Sequence, residues 1–179
     1  MLTVGDQFPS FHLKAVVSSN ISTAFMEASN EDNANSWKVF FFYPKDFTFI
    51  CPTEIIAYSD LVSAFEKNKT TVYGVSTDSE FVHLAWRQSH PGLNTLKLPL
   101  LSDIRRELSE ALGILDEKEG VCLRATFIVD PENYIRSVVV NDLNVGRNVQ
   151  ETLRTLEALQ TGELTPCNWN PGDAVLTVS

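Results

Sequence analysis

The chain has 179 residues, of which 44% are hydrophobic, and a formal net charge of −9. That length and apolar fraction suffice for one domain with a sizeable core. The acidic excess argues against a protein that binds nucleic acid or an anionic membrane surface, because both depend on clustered lysine and arginine. No apolar run approaches the roughly 20 residues that cross a bilayer, and the first residues do not resemble a signal peptide. We therefore expect a cytoplasmic protein, in which the three cysteines do not form structural disulfides.

The first part of the chain is predicted to alternate strands and helices. A short strand or hairpin in residues 1–35 is followed by the apolar run Trp37–Tyr43, which is typical of a strand buried on both faces. A helix is predicted from Cys51 to about Phe65, because apolar side chains recur there at helical spacing. The run Thr71–Ser76 then has the composition of a second buried strand.

Capping residues mark the next two predicted helices. Asp78 or Ser79 can cap a helix that has Phe81, Leu84 and Ala85 on its apolar side. Ser102 or Asp103 can cap the helix that follows, and a glycine ends it. Both helices are short, because turn residues bound them closely on each side.

Two strands and a helix complete the pattern. The runs Ala125–Val129 and Ile135–Val140 are separated by a short turn signal, which predicts an antiparallel hairpin. The last helix is predicted to begin near Asn148, with Glu151 placed as in a capping box, and to end at Gly162.

The order of these elements predicts an α/β fold with a central mixed sheet flanked by helices. We expect one domain at residues 1–162. Residues 163–179 contain two prolines and no periodic pattern, so we interpret them as a C-terminal arm.

Cys51 lies where a buried strand ends and a helix begins, a position that favours a chemical role. Pro52 fits only the first turn of that helix, where its missing N–H costs nothing. The N–H groups of a first turn lack intrahelical partners, and the helix dipole adds partial positive charge there. Both features favour the thiolate, which is the reactive form of cysteine.

Four residues are candidates for a site around this sulfur. Thr48 precedes Cys51 by three residues, so its hydroxyl could donate a hydrogen bond to the thiolate or to a bound oxygen. Pro44 stiffens the start of the loop and shields the thiol from water. Arg124, at the head of a predicted strand, is either a source of positive charge or an exposed strand-end residue. Glu54 either orients an arginine by a bidentate contact or is a first-turn glutamate favoured by the helix dipole.

The pattern Pro44-x-x-x-Thr48-x-x-Cys51, followed by Pro-Thr-Glu, resembles the active-site signature of the peroxiredoxins. The resemblance covers nearly the whole chain, from about Val4 to Asp173. It is strongest with the typical two-cysteine group, which includes the bacterial alkyl hydroperoxide reductase C subunit. The further segments that carry it are Gly74–Ser79, Pro99–Asp103, Arg124–Pro131 and Gly146–Glu151.

The resemblance implies a thioredoxin-like fold and a thiol-dependent peroxidase that serves antioxidant defence without a metal or an organic cofactor. Hydrogen peroxide and alkyl hydroperoxides are the implied substrates, and peroxynitrite is a further candidate. The implied site consists of the peroxidatic Cys51 with Pro44, Thr48 and Arg124, and of Glu54 and Arg147, which hold Arg124.

The resemblance also implies that a second thiol resolves the oxidised Cys51. Cys167, in the arm, is similar to the C-terminal resolving cysteine, which comes from the partner subunit of a homodimer. That dimer is expected to form through the edge strand Ile135–Val140, and five dimers are expected to form a ring. Thioredoxin, a flavoprotein or a small Cys-x-x-Cys protein would reduce the disulfide. Cys122 has no such counterpart, and we expect it to be a small apolar core residue.

Three other functions use part of the same sequence pattern. A disulfide oxidoreductase on the same fold is disfavoured, because the chain has no Cys-x-x-Cys pair. A hydrolase could use Cys51 with His83 or His90 as base, but it would leave Thr48 and Arg124 without a role. A redox relay or a holdase is the non-enzymatic alternative. The histidines are dispersed, so no metal site is predicted.

Overall fold

Strands and helices alternate along most of residues 1–177, which are the residues that the computed structural model describes. The strands are β1 (His12–Val16), β2 (Phe25–Ser29), β3 (Trp37–Phe42), β4 (Thr70–Ser76), β5 (Leu100–Ser102), β6 (Leu115–Asp116), β7 (Val121–Cys122), β8 (Arg124–Val129) and β9 (Ile135–Asn141). The helices are α1 (Cys51–Lys67), α2 (Glu80–Ser89), α3 (Glu107–Leu112) and α4 (Val149–Thr161).

Seven of the strands form one mixed sheet in the order β2-β1-β5-β4-β3-β8-β9. The pairs β3–β4 and β4–β5 are parallel, and the remaining pairs of this sheet are antiparallel. The predicted hairpin of β8 and β9 is therefore confirmed, and β9 lies at an edge of the sheet as expected. The short strands β6 and β7 pair separately.

Strand β3 and the residue after it divide the core in two. Val39, Phe41 and Tyr43 pack into a cluster with α1, α2 and α4, and Phe40 and Phe42 pack into a second cluster with α3. The alternation follows from the period of two along a strand. The prediction of a mixed sheet with helices on both faces is confirmed.

Helix α1 buries the face that the spacing predicted. The side chains on this face are at most 5% exposed and are Cys51, Ile55, Tyr58, Val62 and Phe65. Burial of each large apolar side chain contributes about 1.5–3 kcal/mol, which fixes the rotation of the helix on the sheet. The first residue of α1 therefore faces the core, and its sulfur is held against the sheet.

The third helix begins later than the caps predicted. Ser102 is the last residue of β5, and Asp103 accepts hydrogen bonds from the N–H groups of Leu108 and Ser109 (3.2 and 2.8 Å) across a turn. Asp103 stays on the sheet because its N–H donates to the carbonyl of β4 residue Ser76 (2.8 Å), and residues 104 and 105 form a turn before the helix. Ile104 is consequently 50% exposed.

Helix α2 confirms one predicted cap and corrects the predicted apolar face. The Ser79 hydroxyl accepts a hydrogen bond from the Val82 N–H (3.3 Å). Phe81 is 65% exposed and contacts Phe25 edge-on instead of entering the core. Of the other two residues predicted on this face, Leu84 is buried and Ala85 is exposed. The buried face of α2 also carries two polar residues, His83 and Arg87.

Asn148 is the N-cap of α4 and should contribute to the stability of the fold. The Asn148 side chain accepts a hydrogen bond from the Glu151 N–H (3.1 Å), whereas the Glu151 carboxylate pairs with Arg154. The predicted cap is confirmed, but Glu151 does not complete a capping box. Asn148→Ala should lower the free energy of unfolding by about 1 kcal/mol, as measured by urea denaturation at fixed protein concentration. Asn148→Ser keeps an acceptor oxygen and should lose much less; equal losses in the two variants would contradict the assignment.

No helix within residues 1–177 has both the length and the apolar character needed to cross a membrane.

Candidate active site

Cys51 is the first residue of α1, and its side chain is fully buried. The N–H groups of Thr53 and Glu54 both donate to the Ile50 carbonyl (3.0 and 3.4 Å), and Pro52 has no N–H. In the described part of the chain, the Cys51 N–H itself takes part in no hydrogen bond. Two N–H groups at this helix end, those of the N-cap Ile50 and of Cys51, therefore have no partner among the described residues.

Arg124 lies beside the Cys51 sulfur rather than in solvent. It is the first residue of β8 and is 3% exposed. Its Nη1 lies 3.5 Å from Cys51 Sγ and 2.6 Å from Glu54 Oε2, and its Nε donates to the Leu143 carbonyl at 2.6 Å. These contacts fix the guanidinium, whose positive charge is held close to the sulfur.

Glu54 bridges two arginines beneath the sulfur. Its Oε1 accepts hydrogen bonds from the Arg147 N–H (3.0 Å) and Nε (2.9 Å), and its Oε2 accepts from Arg147 Nη2 (2.8 Å) and Arg124 Nη1 (2.6 Å). Arg147 Nη1 also donates to the carbonyls of Phe42 and Ala125 (2.7 and 2.9 Å). Two arginines and one glutamate leave one excess positive charge in a buried cluster. A thiolate at Cys51 would balance that charge.

Thr48 and Pro44 lie in the loop that joins β3 to α1. The Thr48 hydroxyl donates to the Lys45 carbonyl (2.8 Å), and among residues 1–177 no hydrogen bond joins it to the Cys51 sulfur. The expected Thr48–thiolate bond is therefore not formed in this conformation. Because its proton is already committed, the Thr48 oxygen is left as a hydrogen-bond acceptor. Pro44 is buried at the start of the loop.

The other two cysteines differ sharply in environment. Cys167 is exposed in the arm and lines a groove against the last turns of α4. The structure does not pair it with Cys51, and all three cysteines are free. Cys122 is fully buried in β7 beside the Ser109 hydroxyl (3.1 Å). Burial raises the pKa of Cys122 to about 12, so it is a protonated thiol at neutral pH, as a core residue would be.

Two features of the site could not be read from the sequence. The Leu143 carbonyl, which holds Arg124, is a backbone group in a loop without a motif. Asp46 forms a buried hydrogen-bonded group with Tyr43 and His83. It is one of the three unspecified residues between Pro44 and Thr48 in the motif. No group of three potential metal ligands occurs in the described residues.

Comparison with known proteins finds relatives along nearly the whole chain. The family model described as "AhpC/TSA family" matches residues 4–138, and a model described as "C-terminal domain of 1-Cys peroxiredoxin" matches residues 158–179. Alkyl hydroperoxide reductase C of Mycobacterium tuberculosis H37Rv is 48% identical, with 98% of this chain and 94% of that protein covered. Peroxiredoxin-2 of Bos taurus is 45% identical, with 94% and 86% covered.

Two solved structures give the same relationship in three dimensions. Mycobacterium bovis AhpC superposes with a TM-score of 0.87 at 47% identity, over 95% of this chain and 99% of that chain. The reduced 2-Cys peroxiredoxin of Plasmodium vivax superposes with a TM-score of 0.90 at 33% identity, over 98% and 93%. The thioredoxin-like fold implied by the motifs is thus confirmed, and the chain belongs to the AhpC/TSA family of peroxiredoxins, which are thiol-dependent peroxidases.

Proposed function

We propose that Cys51 is the peroxidatic cysteine of this peroxidase. The observation that carries the proposal is the position of Arg124, whose guanidinium lies 3.5 Å from the Cys51 sulfur and is held by Glu54 and Leu143. The proposed site is completed by Pro44 and Thr48, and Arg147 supports it through Glu54.

The first step is a nucleophilic displacement at oxygen. The Cys51 thiolate attacks the terminal oxygen of a hydroperoxide ROOH, the one that carries the hydrogen; an S–O bond forms, and the O–O bond breaks. Sulfur is oxidised to the sulfenic acid Cys51–SOH, and RO⁻ leaves and takes a proton from water to give ROH. Hydrogen peroxide and alkyl hydroperoxides differ only in R, so both are proposed substrates. No redox cofactor is needed, because the peroxide itself accepts the two electrons.

Three groups are placed to bind the reacting peroxide. Thr48 offers a lone pair to the peroxide O–H, since its own proton is donated to the Lys45 carbonyl. The Cys51 N–H and the Arg124 guanidinium are donors that can stabilise the negative charge spreading over the two oxygens as their bond breaks. The acceptor and the donors together orient the peroxide toward the sulfur. Pro44, buried beside them, keeps bulk water out.

The sulfenic acid is proposed to be resolved by Cys167 of a partner subunit. The Cys167 thiol attacks Cys51–SOH, a disulfide forms, and water leaves; a reductase such as thioredoxin, a flavoprotein or a small Cys-x-x-Cys protein then returns both thiols. A homodimer through the open edge of β9 would bring the arm of one subunit to the other, and a ring of five dimers is the proposed assembly. The proposed domain spans residues 1–162, the proposed arm spans residues 163–179, and the proposed location is the cytoplasm.

Formation of that disulfide requires α1 to open at its first turn. Cys51 is fully buried, and a disulfide needs two Cα atoms within about 7 Å of each other. Unwinding of the first turn would release the Cys51–Arg124 contact and expose the sulfur to the partner's arm. The proposed cycle therefore alternates between the folded conformation, which reacts with peroxide, and an opened one, which reacts with Cys167.

Arg124→Ala tests the proposed site. Loss of an electrostatic transition-state contact should raise the barrier of the first step by about 2–4 kcal/mol. The measurement is stopped-flow mixing of the reduced protein with hydrogen peroxide, followed by tryptophan fluorescence. Arg105→Ala is a matched control, because it removes the same side chain at a position that is 75% exposed and has no proposed role in the reaction. If the Arg124→Ala and Arg105→Ala variants react at the same rate, Arg124 does not act in the reaction.

A further inference from the structure

A group of buried polar side chains lies beneath the loop that precedes Cys51. The Tyr43 hydroxyl donates to Asp46 Oδ1 (2.9 Å), and Asp46 Oδ2 lies 2.7 Å from His83 Nδ1. His83 Nε2 donates to the Leu101 carbonyl at 3.1 Å. The side chains of Asp46 and His83 have no exposed area. Such a group cannot meet substrate directly, so any role in the reaction must act through the loop.

The Asp46–His83 pair remains hydrogen-bonded whichever partner holds the shared proton. Burial raises the pKa of Asp46, although the hydrogen bond from His83 opposes this. Burial alone would lower the pKa of His83, but the hydrogen bond and charge of Asp46 outweigh it and the pKa is raised. His83 Nε2 carries a proton in either case, because the Leu101 carbonyl can only accept. The Asp46 carboxyl is therefore anchored to β5 through α2.

The backbone of Asp46 connects this group to Thr48. The Asp46 N–H donates to Asp78 Oδ2 (2.9 Å), and the carbonyl of the same peptide unit, that of Lys45, accepts the Thr48 hydroxyl proton (2.8 Å). A peptide unit is planar, so the direction of its N–H fixes the direction of its carbonyl. The carboxylate of Asp78 thus determines where the Thr48 hydroxyl points.

Asp78 is itself held by buried strand ends. Its Oδ2 accepts a hydrogen bond from the Ser76 hydroxyl (2.7 Å), and its own N–H donates to that hydroxyl's oxygen (3.1 Å). Its carbonyl accepts a hydrogen bond from the Ser102 hydroxyl (2.7 Å). Ser76 and Ser102 are the last residues of the neighbouring strands β4 and β5. The rigid sheet is therefore connected to the loop through Asp78.

The backbone after Asp46 shows that the loop is held under constraint. Phe47 has φ of +56°, a left-handed conformation that is unfavourable for an aromatic residue. Its ring is 58% exposed, so burial of the ring does not explain the conformation. Such a residue persists where its surroundings over-determine it. The anchored Asp46 on one side and the Thr48–Lys45 hydrogen bond on the other supply that constraint.

We propose that Asp78 and Asp46 are positioning residues that orient the Thr48 hydroxyl for peroxide binding. They act through the peptide unit between Lys45 and Asp46, and they touch neither the sulfur nor the substrate. This inference rests on the acceptor role proposed for Thr48. It predicts that loss of the Asp78 acceptor oxygen slows the reaction of Cys51 with peroxide when Thr48 is present, but not in a variant that lacks the Thr48 hydroxyl.

A double-mutant cycle in a Cys167→Ser background tests this coupling. The reference protein, Thr48→Val, Asp78→Ala and the double variant are reduced and mixed with hydrogen peroxide in a stopped-flow instrument. Asp78→Ala should slow the reaction on the order of ten- to a hundredfold, since misplacement of a reacting group has effects of that size. The double variant should be no slower than Thr48→Val alone, because both substitutions remove the same function, the oriented Thr48 hydroxyl. Alkylation of Cys51 by iodoacetamide needs the thiolate but not Thr48, and Asp78→Ala should not slow it.

Two isosteric variants keep the test decisive where Asp78→Ala fails to fold. Asp78→Asn retains an oxygen for the Asp46 N–H and should react at nearly the reference rate. Asp46→Asn can accept from Tyr43 and donate to neutral His83, so it should also react at nearly the reference rate. A slow reaction of either variant would overturn the proposal, because charge rather than hydrogen-bond direction would then matter.

The remaining outcomes separate this inference from the proposed function. Three outcomes would overturn the inference and leave the role of Thr48 intact. The first is a double variant whose loss of rate is the product of the two single losses, and the second is an Asp78→Ala variant that reacts with peroxide at the reference rate. The third is an Asp78→Ala variant in which alkylation is slowed as much as the peroxide reaction. A Thr48→Val variant that reacts at the reference rate would overturn the role of Thr48 and this inference with it. A slow Cys51–peroxide reaction in the reference protein itself would overturn the proposed function.

Discussion

Replacement of Cys51 by serine should abolish peroxide consumption. A serine hydroxyl is a far weaker nucleophile than a thiolate at neutral pH, and neither Arg124 nor the helix end can make it comparable. The change replaces one sulfur atom by oxygen in a buried position, so the fold should survive. Stopped-flow mixing with hydrogen peroxide measures the loss, and far-ultraviolet circular dichroism checks the fold.

Cys122→Ser is the matched control for this experiment. Cys122 is as buried as Cys51, but the hydrogen-bond partner of its sulfur is the Ser109 hydroxyl, and burial raises the pKa of Cys122 to about 12. Its replacement should leave the peroxide reaction at the wild-type rate. A fast reaction that survives in Cys51→Ser, or one that is lost in Cys122→Ser, would overturn the assignment of the peroxidatic cysteine. The same comparison addresses a pure holdase, which would keep its clients from aggregating without Cys51.

Replacement of Cys167 by serine should stop turnover with a disulfide reductase and leave the first attack fast. The sulfenic acid then has no thiol to condense with, so it accumulates and further peroxide oxidises it to sulfinic acid. On non-reducing gels, the wild-type protein treated with a stoichiometric amount of hydrogen peroxide should run as a covalent dimer. The Cys167→Ser variant should run as a monomer.

The gel also distinguishes the possible resolving thiols. The exposed position of Cys167 suits a thiol that must reach another subunit, whereas Cys122 lies in the core of its own chain. A covalent dimer that persists in Cys167→Ser would show that another cysteine bridges the subunits. Full reductase-coupled turnover in that variant would likewise contradict a resolving role for Cys167.

The elements that position Cys51 could be predicted because each depends on local pattern. The apolar run Trp37–Tyr43 is buried on both faces, and the helical spacing from Cys51 to Phe65 marks the face that packs on the sheet. The start of α1 is set by Pro52, which fits only a first turn. By contrast, α3 begins four residues after Asp103, since a long-range hydrogen bond to Ser76 holds Asp103 on the sheet and a turn follows it.

The contacts between the site residues could not be predicted from local pattern, because they depend on the order of the strands in the sheet. Arg124 is 73 positions from Cys51 in sequence, and from position alone it was equally consistent with a solvent-exposed strand end. Only the antiparallel pairing of β3 with β8 brings it to the sulfur. The direction of the Thr48 hydroxyl could not be predicted either, because it is determined by Asp78, whose sequence pattern indicates no more than a helix cap.

Peptide mapping of the oxidised protein under non-reducing conditions identifies the two cysteines that form the disulfide of the proposed cycle. The wild-type protein is treated with a stoichiometric amount of hydrogen peroxide, alkylated, digested and measured by mass spectrometry. We expect one dominant disulfide-linked pair of peptides, which joins the segment containing Cys51 to the segment containing Cys167, and we expect Cys122 to be recovered as the free thiol. A linkage between Cys51 and Cys122, or a Cys51 peptide left unmodified while peroxide is consumed, would contradict this expectation.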